Sequence, residues 1–255
     1  MTAFRAVRCV WLRYFDVYRK SFVFAIVTTF IEPVLYLFAF GFGLGSMIGT
    51  VTLLGVELTY RQFVFAGIVA QALLFQGFFE AAYGAFIRMY YQRIFQAIAT
   101  TPITLSEVLW AELIWDASKA TFAASAVLLI GVAMGDFSLH GAVLALPVCF
   151  FGALLFAALG LLVAAKSRTI EEISYPQYLL VFPMFLFCGV FFPLTSLPSY
   201  LQGFAWILPL TSIVSLVRTL TLGTPLQPQV FFVIFAWLAL LIPWSHRAMS
   251  RRLIK

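Results

Sequence analysis

The fold class this sequence predicts is an all-α membrane protein, and three observations predict it. Hydrophobic residues fill 63% of the 255 positions and charged residues only 10%, whereas a soluble domain is about 45–50% apolar and about 25% charged. The apolar residues gather in runs about 20 residues long, enough for a helix to cross a hydrocarbon core of roughly 30 Å. Thirteen of the sixteen basic residues fall on one set of alternating connections, the asymmetry that orients membrane proteins. So much apolar surface cannot be buried inside one globule of this length. That excludes an ordinary soluble enzyme, and the apolar content excludes a disordered chain.

Residues 1–21 form the first element. Over 4–20, Phe4, Val7, Trp11, Tyr14, Phe15 and Tyr18 share one face at about 100° per residue. Arg5, Arg13, Asp16 and Lys20 share the other. Aromatic rings rimmed by cations suit an amphipathic helix lying at the level of anionic lipid head groups. The N-terminus does not read as a cleavable signal, because the apolar run that follows is too long and leads into glycine-rich sequence.

Residues 22–246 carry six expected spans: 22–46, 63–86, 108–134, 141–165, 173–195 and 229–245. Another apolar stretch, 200–222, is interrupted by Gly203 and Pro209 and contains Arg218. It reads as a re-entrant helical hairpin, about 197–222, dipping in from the outer face. An even number of spans puts both termini on one side. The basic residues at 5–20, 88–93, 166–168 and 247–255 make that side cytoplasmic, with 247–255 as a basic tail.

Within the first span, Gly41, Gly45 and Gly49 repeat at four-residue intervals and mark a face for close helix packing, between or within chains. Pro176 and Pro183 are expected to bend the fifth span. Pro193 and Pro198 are expected to stop it and to contribute to an outer gate.

Catalytic and cofactor signatures are sparse. GLLVAAKS at 160–167 has some of the letters of a phosphate-binding loop but ends an apolar span, where helical backbone amides are already bonded. His140 and His246 are far apart, and Cys9, Cys149 and Cys188 lack metal-ligand spacing. Glu171 and Glu172 lie beside Lys166 and Arg168 and read as a charge-balanced turn. No cofactor is expected in this chain.

Two segments carry more information. Along 84–104, Ile87, Tyr91, Ile94, Phe95 and Ile98 recur with helical spacing, while Arg88, Gln92 and Gln96 form a polar stripe beside Met89 and Arg93. This predicts a short amphipathic helix, about 87–100, ended by Thr100-Thr101-Pro102 and free to dock a cytosolic partner on its polar face. In the third span, Glu112, Asp116 and Lys119 share one face, and Glu80 lies in the second. Charge inside a bilayer is costly and marks pathways or paired helices, so these four are expected to form a polar seam.

Taken in order, the basic N-terminus, IEPVLYLFAFGFGLG at 31–45, FEAAYGAFIRMYYQR at 79–93, ELIWDASKA at 112–120, FFPLTSLP and the basic tail resemble an ABC-2 type permease over essentially the whole chain. The likeness is greatest to the nodulation protein J branch, associated with lipo-oligosaccharide export. This resemblance implies a homodimer in the bacterial inner membrane and separate cytosolic ATPase subunits that hold the ATP and magnesium. It makes 87–100 the coupling helix and implies an amphiphilic cargo, such as a lipid-linked or acylated glycan, moved outward. No nucleic-acid partner is implied. The alternatives are an ABC-2 permease for drugs, polyketides or other lipids and, more distantly, an intramembrane lipid-modifying enzyme.

Overall fold

Apolar periodicity and three side-chain caps set most of the architecture. The computed structural model describes residues 2–20, 27 and 31–253. The first part of the expected first span, residues 22–26 and 28–30, and the last two residues of the tail lie outside the described residues.

Helix α1, Ala3–Lys20, buries Ala6, Val10 and Tyr14. Val7, Trp11 and Tyr18 also pack against the core. Phe4 and Phe15 remain exposed, so the expected aromatic face is rotated and serves mainly to dock α1 on the bundle. Helix α2, Ile31–Ile48, is π-helical over Leu37–Leu44. It ends at Gly49, whose φ of 72° is easily reached without a Cβ.

A β-hairpin follows that the sequence reading did not anticipate. Strands β1, Thr50–Leu53, and β2, Val56–Thr59, pair antiparallel. Leu54 and Gly55 join them, both at positive φ, as a two-residue hairpin turn requires.

Thr59 and Gln62 then form a capping box that starts α3, Tyr60–Tyr91. Helix α3 turns π-helical over Glu80–Gly84 and Ile87–Tyr91. The chain breaks at Arg93, a non-glycine residue at φ 51°, before the short helix α4, Ile94–Ala99. The expected continuous helix over 87–100 is therefore divided: its first residues end the second span, and only 94–99 form a separate helix.

A second capping box, Thr104 with Glu107, starts α5, Leu105–Ala133. Ser138 caps α6, Leu139–Lys166. Helix α6 is the central post and packs against α3 and α5. Glycine permits the closest approach to α3, because a Cβ on Gly160 would collide with the Phe78 carbonyl and one on Gly77 would lie 3.1 Å from that of Ala153. Gly160 belongs to the loop-like 160–167 string, and this crossing is what it serves.

The next helical run, α7, covers 171–187 and includes a π turn over Gln177–Val181. It is shorter than the expected 173–195 span because Gly189, at φ 77°, turns the chain before either later proline. Pro193 and Pro198 thus do not stop this helix. They precede a 3-10 turn, Leu194–Ser196, and helix α8, Ser199–Ile207.

Helix α9, Pro209–Leu222, is bent from α8 by 86°. Leu208 between them is extended, as a residue preceding proline prefers. The indole of Trp237, well inside the last helix α10, Gln229–Leu253, donates to the Ile207 carbonyl at 2.9 Å. Near the start of α6, a Cβ on Gly141 would meet the Leu220 carbonyl. The pair therefore descends to Ile207 and returns by Leu222, as a re-entrant hairpin does.

Among the described residues, five helices (α2, α3, α5, α6 and α10) are long and apolar enough to cross a bilayer, and the bent pair makes a sixth if counted as one span. The basic tail is not separate from them. Helix α10 continues to Leu253, and Arg252 donates to the carbonyls of Ala164 and Ser167 at the end of α6. That contact, together with α1 beside the end of α3, puts both described chain ends at one end of the bundle. We call this the termini end, and the opposite one the hairpin end.

Candidate functional site: a charged seam under the N-terminal helix

The seam is assembled by helix periodicity. Glu112, Asp116 and Lys119 occupy successive turns of α5, and α3 supplies Glu80 and Arg88. In a regular α-helix, positions eight apart are offset by about 80° beyond two turns. The wider π turn at Glu80–Gly84 reduces that offset and brings Arg88 toward the face of Glu80. Gly84 leaves the space, since a Cβ there would lie 3.0 Å from Arg88 Nη2 and 3.1 Å from Glu80 Oε1.

Arg88 is the hub. Its Nη1 pairs with Glu80 Oε1 at 3.0 Å, its Nε donates to Glu112 Oε1 at 2.7 Å, and its Nη2 lies 2.5 Å from Glu112 Oε1 and 3.4 Å from Asp116 Oδ1. Lys119 Nζ holds the other Glu80 oxygen at 2.5 Å. Glu112 and Asp116 are fully buried. Three carboxylates face two cations, for a formal charge of −1, and Glu112 Oε2 and Asp116 Oδ2 have no hydrogen-bond partner among the described residues.

The N-terminal helix covers this network. The Tyr14 ring lies 5.2 Å from the Arg88 guanidinium and the Tyr18 ring 5.4 Å from the Lys119 ammonium, both within cation–π range. Trp115 packs edge-on against Trp11 and Tyr18, and the Trp11 indole donates to Ser118 Oγ at 3.4 Å. A cavity of ≈ 360 Å³ opens beside the seam between Arg13, Gln92 and Lys119. Burial, with the Glu112 carboxylate adding to it, pushes the Tyr14 phenol far above its ordinary pKa, so this ring stays neutral.

The structure thus brings Glu80, Glu112, Asp116 and Lys119 together. It also changes the expected polar stripe. Arg88 is a seam residue and Met89 is buried, so neither shares an exposed face with Gln96. Gln92, Arg93 and Gln96 remain exposed at the break and on α4. Gly84 and Tyr14 were missed as seam residues. The E-A-A-Y-G spacing, a small residue one turn before Arg88, was a legible cue for the first.

The expected glycine face also divides. A Cβ on Gly41 would lie 3.6 Å from the Arg61 side chain and one on Gly45 3.9 Å from the Tyr60 ring, both ordinary contacts, whereas one on Gly49 would meet nothing within 4 Å among the described residues. Gly49 therefore ends a helix instead of packing one. At the hairpin end Arg61 pairs with Asp136 at 2.8 Å. Among the described residues no group of histidine, cysteine and carboxylate side chains has metal-binding geometry.

The sequence that builds these helices matches known proteins. The family model described as "ABC-2 type transporter" matches residues 5–222. The chain belongs to the ABC-2 type transporter family. Among its relatives, nodulation protein J of Rhizobium meliloti (strain 1021) is 34% identical over 217 residues, covering 85% of this chain and 81% of that protein. Nodulation protein J of Rhizobium leguminosarum bv. viciae is 32% identical over 248 residues, covering 96% and 94%. The inner membrane transport permease YadH of Escherichia coli (strain K12) is 25% identical over 244 residues, covering 94% and 93%. This ABC-2 permease is therefore a multi-pass membrane transport subunit related to the nodulation protein J branch.

Proposed function

We propose that this permease is the membrane half of an ATP-driven exporter, working as a pair of identical chains above two separate ATPase subunits. The observation that carries the reading is family membership across 5–222, together with an exposed break after the second span. Arg93 holds that break open in a left-handed conformation, and Gln92, Arg93 and Gln96 present the polar surface that an ATPase would grip. ATP and magnesium belong on that partner.

The termini end faces the cytoplasm in this reading, because most of the basic residues are there. The copies meet through α2, where Phe38 and Phe42 are exposed. The cargo is a lipid-linked or acylated glycan, carried from the cytoplasmic side outward. The nodulation protein J relatives and the aromatic-rich spans support that class. The loop holding Pro193 and Pro198, with the re-entrant pair, forms the outer gate. The seam of Glu80, Arg88, Glu112, Asp116 and Lys119 lines the moving joint between α3 and α5 under α1.

Cysteine placed at Gln96 tests the orientation and the grip together. In intact cells it should resist an impermeant maleimide, then label in inverted membranes, and it should cross-link to the cognate ATPase subunit. Labelling from outside the cell would contradict this topology.

A further inference from the structure

A second buried polar site lies at the hairpin end, remote from the seam. The β1–β2 turn, the 188–198 loop, α8, α9 and the chain entering α10 enclose a cavity of ≈ 190 Å³. Thr195, Gln202, Ser215, Arg218 and Gln227 give its wall polar character, and Trp206 supplies an aromatic surface. Arg218 is only 5% exposed. Its Nη2 donates to the carbonyls of Gly189 at 2.8 Å, Phe63 at 3.1 Å and Val190 at 3.4 Å, and the guanidinium lies 3.7 Å from the Phe63 ring centroid.

No described carboxylate forms an ion pair with Arg218; the described pairs involve other cations. Among the described residues its Nε is buried without an acceptor, and Gln227 Oε1 is buried without a donor. The site thus holds an uncompensated cation with a spare N–H and, on the same cavity wall, an amide oxygen with spare acceptor capacity. A ligand completing both offers an acceptor to the guanidinium, best an anionic oxygen because the cation has no counter-charge, and a donor such as a hydroxyl to the amide oxygen. A planar guanidinium matches sulfate, phosphate or carboxylate. The small volume suits a head group better than a whole drug-sized ligand, whose pockets run from about 300 Å³ upward.

We propose that this cavity binds an anionic polyol head group, a sugar or glycerol unit bearing a sulfate, phosphate or carboxylate. As the place where a cargo's head group pauses near the outer face, the site rests on the export reading. As a binding site it does not, because binding is measured on the permease alone.

The full chain, reconstituted in phosphatidylcholine nanodiscs, is titrated with glucose 6-sulfate, glycerol 1-phosphate and neutral glucose. The two anions should bind, with the preferred one at least about tenfold tighter than glucose, about the ratio one charged hydrogen bond confers. Preference for the sugar sulfate assigns the site to glycan cargo, and preference for glycerol 1-phosphate assigns it to a lipid head group. Thr195→Trp, which fills the cavity and keeps the arginine in the chain, should abolish binding, and Arg218→Lys should weaken it. Equal affinity for glucose and its sulfate, or anion binding unchanged in Thr195→Trp, overturns the proposal. Anion binding that persists in a chain unable to support export would count against the export reading instead.

Discussion

Two sites at opposite ends of this bundle, the seam and the Arg218 pocket, bury charge in opposite ways. At the termini end, five ionic side chains from α3 and α5 satisfy mainly one another, and a helix of aromatic residues covers them. At the hairpin end, apart from the Arg61–Asp136 pair, Arg218 is held by backbone carbonyls and by the face of a phenylalanine. A network of opposite charges is self-contained: changing one member strands its partners. A cation held by carbonyls strands no counter-charge when it is lost, but it keeps an attraction for any anion that enters. The first arrangement suits a joint between helices, and the second suits a binding site.

The largest effect that would break this contrast is Arg88→Met. It leaves Glu112 and Asp116 buried without their cation, and removing one partner of a buried pair costs about 3–5 kcal/mol. Thermal unfolding of the purified chain should show that loss. Glu112→Gln added to Arg88→Met should restore part of it, since one of the stranded charges is then gone. A fully additive double variant would mean that the two side chains are not coupled.

Gly84→Ala should cost about 1–3 kcal/mol, the usual range for overpacking, by pushing the Arg88 guanidinium off its carboxylates. The same measurement checks it, and an unchanged melting temperature would show that Arg88 can be satisfied from another position.

Arg218→Lys should destabilise the chain by about 1 kcal/mol, the net worth of a typical hydrogen bond, because an ammonium can still reach the carbonyls. A loss as large as that of Arg88→Met would erase the distinction between the two ends. Arg93→Ala and Gln96→Ala lie on the exposed break, where substitutions fall within about 0.5 kcal/mol. They should leave the permease's melting temperature unchanged while lowering the ATP turnover of the assembled complex.

How far the sequence revealed these sites depended on whether helical spacing alone built them. Glu112, Asp116 and Lys119 were legible because a regular helix places them on one face. Arg88 was not, because its position depends on a π turn and on Gly84, and its spacing with Gln92 and Gln96 imitated an exposed stripe. The left-handed Arg93 that separates them carries no glycine to signal it. The early stop of α7 depended on Gly189, while the later prolines drew attention to 193 and 198. The hairpin over 50–59 did leave a cue, the LG turn between two β-branched runs, but it is short beside the apolar spans. Arg218 was visible as a charge in an apolar stretch. Its acceptors come from Phe63, Gly189 and Val190, far away in sequence, and no local pattern could name them.

Under the proposed function, this chain moves cargo only with power from another polypeptide. Proteoliposomes containing the permease alone, and the permease with its cognate ATPase subunit, should be compared for ATP hydrolysis and for outward movement of an acylated glycan. The account predicts neither activity from the permease alone and both from the pair. ATP hydrolysis by the lone permease, or ATP-dependent transport without the second subunit, would contradict it.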